Sequence, residues 1–282
     1  MRPYALIFPR GTTPAALYAI RAANAFYHPP ESLPEPCEVG TSNVMMPTDT
    51  FEDQQSELAS TLKRPGLFIT LEGIDGTGKS TQYRLLVSYL RKLGYSVCAT
   101  REPGGTRVGE QIRRILLDSS TKKLSALAEL VLMYAARAQH LEEVVRPALA
   151  RGQTVVSDRF NDASMAYQGY GRKLGAEVVR ALDRIVCGAA QPDLTLVFDL
   201  APGVALKRAQ GRELRRKSRR GRFEAESLKF HERVRQGYLA IARQDSRRVK
   251  VIDADGPAEL LQVEVRRLVD VFLARRGTRK RK

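Results

Sequence analysis

The chain has 282 residues, 43% of them hydrophobic, which is enough for one large domain or for one domain with an appendage. No apolar run is long enough to span a bilayer, and the three cysteines (Cys37, Cys98, Cys187) form no Cys-x-x-Cys pair, which argues against a membrane span, a disulfide framework or a cysteine zinc site and for reduced thiols in the cytoplasm. The formal net charge is +16, but 14 of those charges sit in residues 207–222 and 275–282, so nucleic acid is not expected as the main partner of an otherwise near-neutral chain.

Residues 1–64 carry prolines at 3, 9, 14, 29, 30, 34, 36 and 47 and show no sustained helical or strand period, as a poorly ordered extension does. The first 30 residues contain Arg2, Arg10 and Arg21 and no acidic residue, which resembles an organelle transit peptide. A signal peptide fits less well, because Pro9, Arg10 and Pro14 interrupt any apolar core. Translation from Met45 or Met46 is the expectation favoured over a targeting role.

From Gly66 the pattern becomes regular. An apolar strand, Leu67–Leu71, runs into a loop matching G-x-x-x-x-G-K-[ST], with Gly73, Gly78, Lys79 and Ser80 at the fixed positions. Tyr83, Leu85, Leu86, Tyr89, Leu90 and Leu93 then recur at helical spacing until Gly94, which predicts a helix over 79–93. Glycines allow successive N–H groups to face one anion, and the helix adds its positive end. Residues Gly73, Ile74, Asp75, Gly76, Thr77, Gly78, Lys79 and Ser80 are therefore expected to grip a nucleoside triphosphate, with Lys79 on the β- and γ-phosphates and the Ser80 hydroxyl on Mg²⁺.

A second strand, Ser96–Thr100, leads into Arg101-Glu102-Pro103-Gly104-Gly105, where an arginine beside a tight turn can meet an anion. Helices are predicted over 107–118 and 124–150, the latter carrying Met133, Tyr134, Arg137 and a histidine, His140, that reads as structural or surface rather than catalytic. The strand Thr154–Ser157 ends at Asp158, a carboxylate suited to Mg²⁺, and Arg159, suited to a second phosphate. A helix over 161–187 would place Ser164, Tyr167 and Gln168 on one stripe polar enough for a base and a sugar. The strand Leu194–Leu200, a helix over 202–211, helices over 224–243 and 257–275, and the strand Val249–Ile252 complete the set. Strands alternating with helices imply an α/β fold: a five-stranded parallel sheet with helices on both faces, its chemistry at the C-terminal strand ends. The domain is expected over 65–275, followed by a basic tail at 276–282. The arginine-rich segment 207–222 fits a mobile lid that brings positive charge to a phosphoryl group and excludes water.

Together, Glu72-Gly-Ile-Asp-Gly-Thr-Gly-Lys-Ser80, Thr100-Arg-Glu-Pro-Gly-Gly-Thr106, Asp158-Arg-Phe with Ser164 and Ala-Tyr-Gln168, Arg222-Phe-Glu224 and Lys229-Phe-His231 resemble the motifs of the thymidylate kinase family across residues 66–273. The resemblance implies the P-loop fold of nucleoside monophosphate kinases, ATP and Mg²⁺ as cofactors, dTMP as acceptor, direct phosphoryl transfer giving dTDP, and a homodimer. It implies that Asp75 lies near the 3′-hydroxyl of dTMP and the metal, and that Arg101 and Arg159 hold its phosphate. Glu102 would lie by the sugar–phosphate end, with a cis Glu102–Pro103 bond. Arg137 and Gln168 would bind the thymine, with Ser164 near it, and Tyr167 would exclude a ribose 2′-hydroxyl. Two positions depart from the family pattern. Met133 stands where many relatives have a stacking aromatic, so Met133 or Tyr134 meets the base. Gly76 stands where some relatives have arginine, which leaves the catalytic arginine to the lid, at Arg212 or Arg222. Another nucleotide or nucleoside acceptor, such as UMP or CMP, and a nucleic-acid-binding P-loop protein remain the alternatives.

Overall fold

Side chains of the first strand, β1 (Leu67–Glu72), alternate between two apolar layers, Phe68 in one and Ile69 and Leu71 in the other. The computed structural model describes residues 66–118, 124–216, 222–223 and 225–278, with backbone alone for 212–216 and 277–278. The expected N-terminal extension, the middle of the lid at 217–221 and the last residues of the tail lie outside the described residues.

After β1 come α1 (Lys79–Lys92), β2 (Val97–Arg101), α2 (Arg107–Leu117), α3 (Ala126–His140), α4 (Arg146–Ala150) and β3 (Thr154–Asp158). The chain continues through α5 (Asn161–Ser164), α6 (Ala176–Val186), β4 (Leu194–Asp199), α7 (Pro202–Arg216), α8 (Leu228–Gln244), β5 (Val249–Asp253) and α9 (Ala258–Thr278). The strands form one parallel sheet in the order β2-β3-β1-β4-β5. Its register is flush at the functional edge: Leu71 lies beside Asp158, which lies beside Arg101. Three successive strand ends therefore deliver the phosphate loop, the Asp158–Arg159 pair and the Arg101 turn to one rim.

Four expected helices differ in detail. The 124–150 helix is α3 and α4 joined by a π-helical turn, Leu141–Val145. The 161–187 helix is interrupted more strongly. After α5 the chain widens into a π-helical stretch, Met165–Gly171, and breaks at Lys173 (φ 62°) and Gly175 (φ 85°) before α6. The wide turn seats α8 closely, since a Cβ on Gly171 would lie 2.8 Å from Phe230. Helix α7 runs five residues further than expected, through residues with good intrinsic helix propensity. Helix α8 starts four residues later than expected, where the Ser227 side chain accepts the Phe230 N–H (3.3 Å) as an N-cap.

The wall of the site is pinned from beneath. The fully buried Glu72 accepts the Phe160 N–H (2.8 Å) and the Tyr238 hydroxyl (2.8 Å). Beside it Arg159 adopts a left-handed conformation (φ 74°), fixed by its own N–H to the Leu71 carbonyl (3.0 Å) and by the Ser157 hydroxyl donating to its carbonyl (2.7 Å). Burial pushes the Glu72 carboxyl up to about 7, against the pull of Arg159 and with a further push from Asp162. A folded value above the unfolded one means that Glu72 contributes its full stability below the usual carboxylate range and loses it as pH rises through about 7. The unfolding free energy from urea titrations is expected to fall between about pH 5 and pH 8. That fall should shrink in Glu72→Gln; the same slope in both proteins would remove Glu72 as its source.

Candidate active site

The phosphate loop depends on glycine where other backbone approaches it. A Cβ at Gly73 (φ 135°) would lie 2.6 Å from the Phe198 carbonyl oxygen, and one at Gly76 (φ 95°) would overlap that of Ala205. Helix α7 thus rests directly on the loop, and position 76 has no room for an arginine here. The Thr77 hydroxyl donates to the Ile74 carbonyl (3.0 Å), and Gly78, in a left-handed conformation, starts α1. Lys79, the first residue of α1, is buried with its ammonium 3.2 Å from Asp158 Oδ1.

On one side of the loop lies a cavity of about 300 Å³, large enough for a small ligand. Asp75, Lys79, Ser80, Arg101, Glu102, Met133, Arg137, Asp158, Arg159, Ser164, Tyr167 and Gln168 line it, so most of the residues expected in the site meet there. Arg159 donates to the Gly73 carbonyl (2.9 Å) and to Asp75 Oδ1 (2.9 Å), with its guanidinium 5.0 Å from the centre of the Tyr167 ring. Burial raises the Asp75 pKa, but Arg159 and Lys79 outweigh it and hold the carboxyl below its ordinary range. Arg101 pairs with Glu110 at the open rim (2.8 Å).

At the inner end, Arg137 donates through Nε to Glu102 (2.7 Å) and through Nη2 to the Phe160 carbonyl (2.9 Å) and the Ser164 hydroxyl (3.0 Å). Its Nη1 is buried with no hydrogen-bond partner among the described residues. Glu102 also binds Nδ1 of the fully buried His140 (2.9 Å), whose Nε2 lies 2.6 Å from the Thr100 hydroxyl. His140 is thus a strut behind Glu102, and the Glu102–Pro103 bond is cis.

Two expected contacts fall elsewhere. Tyr134 does not line the cavity: its ring lies behind Arg137, 4.5 Å from the guanidinium carbon, and its hydroxyl reaches the Val179 carbonyl (3.3 Å). Helical geometry turns adjacent residues about 100° apart, so only Met133 of the pair faces the cavity. Arg222, expected as a catalytic lid arginine, is bound instead to the Leu116 carbonyl (2.8 Å) and the buried Glu129 (2.6 Å), and is not among the residues that line the cavity. The side chain of Arg212 lies outside the described residues.

Two arginines join the cavities without having been expected there: Arg113, which no motif marks, and Arg208, which belongs to the segment read as a lid. Arg113, on α2, lines the same cavity and donates to the Pro103 carbonyl (2.7 Å); burial, and then the charges of Arg101 and Arg159, lower its pKa. Its signal was its position two turns into the helix that follows the Arg101 turn. Arg208, on α7, lines a second cavity across the loop with Gly76, Gly78, Thr81, Gln82, Ala254 and Gly256. It donates to the Ala254 carbonyl (3.0 Å) and Asp255 (2.9 Å), in the loop after β5, where the rule that chemistry follows strand ends pointed.

The Ser80 hydroxyl and the Asp158 carboxylate supply two hard oxygens facing one cavity, the donor set suited to Mg²⁺ that keeps its remaining contacts with phosphate and water. Among the described residues no group of three or more histidine, cysteine or acidic side chains forms a metal cluster, and no helix is long and apolar enough to cross a membrane.

Comparison with known proteins agrees with this geometry. Residues 71–265 match the family model described as thymidylate kinase. A thymidylate kinase from Desulfovibrio desulfuricans is 46% identical over 213 residues, covering 75% of this chain and 98% of that protein. One from Geobacter sp. strain M21 is 50% identical over 195 residues, 69% of this chain and 87% of that protein. The crystal structure of thymidylate kinase from Ehrlichia chaffeensis superposes with a TM-score of 0.59 at 32% identity, over 73% of this chain and 99% of that one. With its sheet order, its phosphate loop and two-thirds of its length matched, this chain belongs to the thymidylate kinase family.

Proposed function

We propose that the chain transfers the γ-phosphoryl group of ATP to dTMP, giving dTDP, in the cytoplasm. The observation that carries this reading is one cavity that joins the phosphate-loop lysine to three guanidiniums and, at its inner end, to Arg137 and Gln168. The first group suits a phosphate dianion next to a triphosphate, and the second suits a base. ATP binds with its phosphates on the loop and its adenosine in the cavity beside Arg208; dTMP binds across the loop. When bound, Mg²⁺ neutralises charge on the ATP phosphates, and Ser80 and Asp158 are the residues that hold it.

The chain's own contribution is positioning and charge. Lys79 leaves Asp158 for the transferring phosphoryl group, and Arg159, Arg101 and Arg113 fix the dTMP phosphate so that one of its oxygens attacks in line. Asp75 meets the 3′-hydroxyl, and Tyr167 fills the space a 2′-hydroxyl would need. Met133, Arg137, Ser164 and Gln168 hold the thymine. The basic lid, with Arg212 as the arginine left for catalysis, closes over the phosphates and removes water. No covalent enzyme intermediate is involved.

We also read the working form as a homodimer. Val108 and Ile115 of α2 and Leu127 and Val131 of α3 are exposed apolar side chains on helices that pack against each other, a face suited to a second copy of the chain.

A panel of nucleoside monophosphates with Mg·ATP is expected to give turnover with dTMP above all others, reduced about 100-fold or more in Lys79→Ala and Arg159→Ala. Turnover that ignores dTMP and accepts another nucleotide would reject the substrate assignment. Tyr167→Ala is expected to cut discrimination between dTMP and its ribose counterpart by about tenfold, read as the ratio of kcat/KM values; an unchanged ratio counts against its part in sugar selection. Light scattering is expected to give twice the 31.5 kDa chain mass, reverting to one chain in Val131→Glu; a monomer before substitution would reject the dimer.

A further inference from the structure

Gln168 lines the substrate cavity, yet a side-chain amide can present either of two opposite ends to a ligand. The end is chosen behind the cavity. Gln168 Nε2 donates to Glu129 Oε1 (2.8 Å), and Glu129, on α3, is fully buried. Arg172 donates to the same carboxylate through Nε (3.2 Å) and Nη2 (3.0 Å), and Arg222 lies 2.6 Å from it. A carboxylate wedged between two guanidiniums is an acceptor only. It can face the NH₂ end of Gln168 and not the carbonyl end, which would set two acceptors against each other. Gln168 Oε1 is thereby the end left for the cavity.

At the same inner end, Arg137 holds Nη1 as a buried donor with no partner among the described residues. Its other nitrogens are fixed on Glu102, the Phe160 carbonyl and Ser164, so the guanidinium cannot turn. The cavity wall therefore carries one fixed acceptor, Gln168 Oε1, beside the fixed guanidinium donor of Arg137. A pyrimidine imide edge, with a carbonyl oxygen at C4 and an N–H at position 3, matches that pair. The cytosine edge, with an amine at C4 and a bare nitrogen at position 3, presents the reverse order and meets each group with its like.

We infer that Glu129 is a specificity-determining positioning residue: by locking the Gln168 amide it makes the cavity select a pyrimidine imide over a cytosine edge. Glu129 touches no substrate. It acts through Gln168, and it deepens the dTMP reading above, on which it rests. Its pairing with Arg172 and Arg222 also brings together the π-helical turn, α3 and residue 222 at the lid's end on one buried carboxylate. Removing that carboxylate's charge frees the amide to turn either way, because glutamine at 129 can donate as well as accept.

The test takes the full chain and compares kcat/KM for dTMP and dCMP in the unsubstituted protein, Glu129→Gln, Gln168→Met and the double variant. Glu129→Gln is expected to lower the dTMP-to-dCMP ratio at least about tenfold, the scale of one mismatched buried hydrogen bond, and to lower it no further once Gln168 is methionine. An unchanged ratio in a folded Glu129→Gln protein, or an equal drop in the Gln168→Met background, overturns the inference. Because Glu129→Gln leaves two guanidiniums short of a partner and can fail to fold, a second reading uses the unsubstituted, nucleotide-free protein. The side-chain NH₂ signals of Gln168, assigned by their loss in Gln168→Met, are expected to be protected from solvent exchange; exchange as fast as that of an exposed glutamine overturns the inference. An unsubstituted chain inert towards dTMP would reject the substrate reading, and the exchange measurement would still decide the orientation.

Discussion

Parallel pairing of β1 with β3, and of β3 with β2, is the constraint on which the site depends. The register sets Leu71, Asp158 and Arg101 side by side, so that the residues just beyond them leave the sheet at one rim. A slip of one residue would exchange the side chains of β1 between two apolar layers, putting Phe68 where Ile69 and Leu71 pack. Burial of β1 on both faces makes that slip costly. Everything at the rim inherits the precision of the core: the phosphate loop, the left-handed Arg159 and the turn carrying Arg101.

Charge at this rim is arranged in pairs that a ligand can replace. Lys79 rests on Asp158, Arg159 on Asp75 and Arg101 on Glu110. Arg113, whose guanidinium donates to a backbone carbonyl, has its pKa lowered by burial and by its cationic neighbours. In the proposed complex, a phosphate dianion entering here would relieve repulsion among Arg101, Arg113 and Arg159. It also competes with the carboxylates for the same donors. The rim thus carries its cations without an uncompensated cluster of charge.

Behind the rim, a second tier of polar contacts fixes direction. Glu72 clamps the chain after Arg159 through Phe160 and Tyr238, Glu102 and His140 hold Arg137, and Glu129 holds Gln168. Each of these carboxylates is buried and spends its lone pairs on donors whose own placement matters for the cavity. Across the loop, the backbone of α7 lies against Gly76 and leaves no space for a side chain there, which is consistent with a loop that carries no arginine of its own.

By itself the sequence determined the periods, the strand ends and the residue types at them. The five strands, their parallel arrangement and the Gly73–Ser80 loop follow from short-range pattern and motif, because apolar alternation and loop chemistry are local, whereas the meeting of Arg101, Arg137, Arg159, Ser164, Tyr167 and Gln168 was implied by the resemblance to thymidylate kinases. The tertiary structure decided what depends on neighbours distant in the chain. It turned Met133 rather than Tyr134 to the cavity, gave Arg222 to Glu129, added Arg113 and Arg208 to the two cavities, and widened the 161–187 helix where Gly171 meets Phe230 before breaking it at Lys173 and Gly175. A guanidinium reads the same in any sequence window. Which carboxylate or carbonyl claims it is set by packing between elements that lie dozens of residues apart.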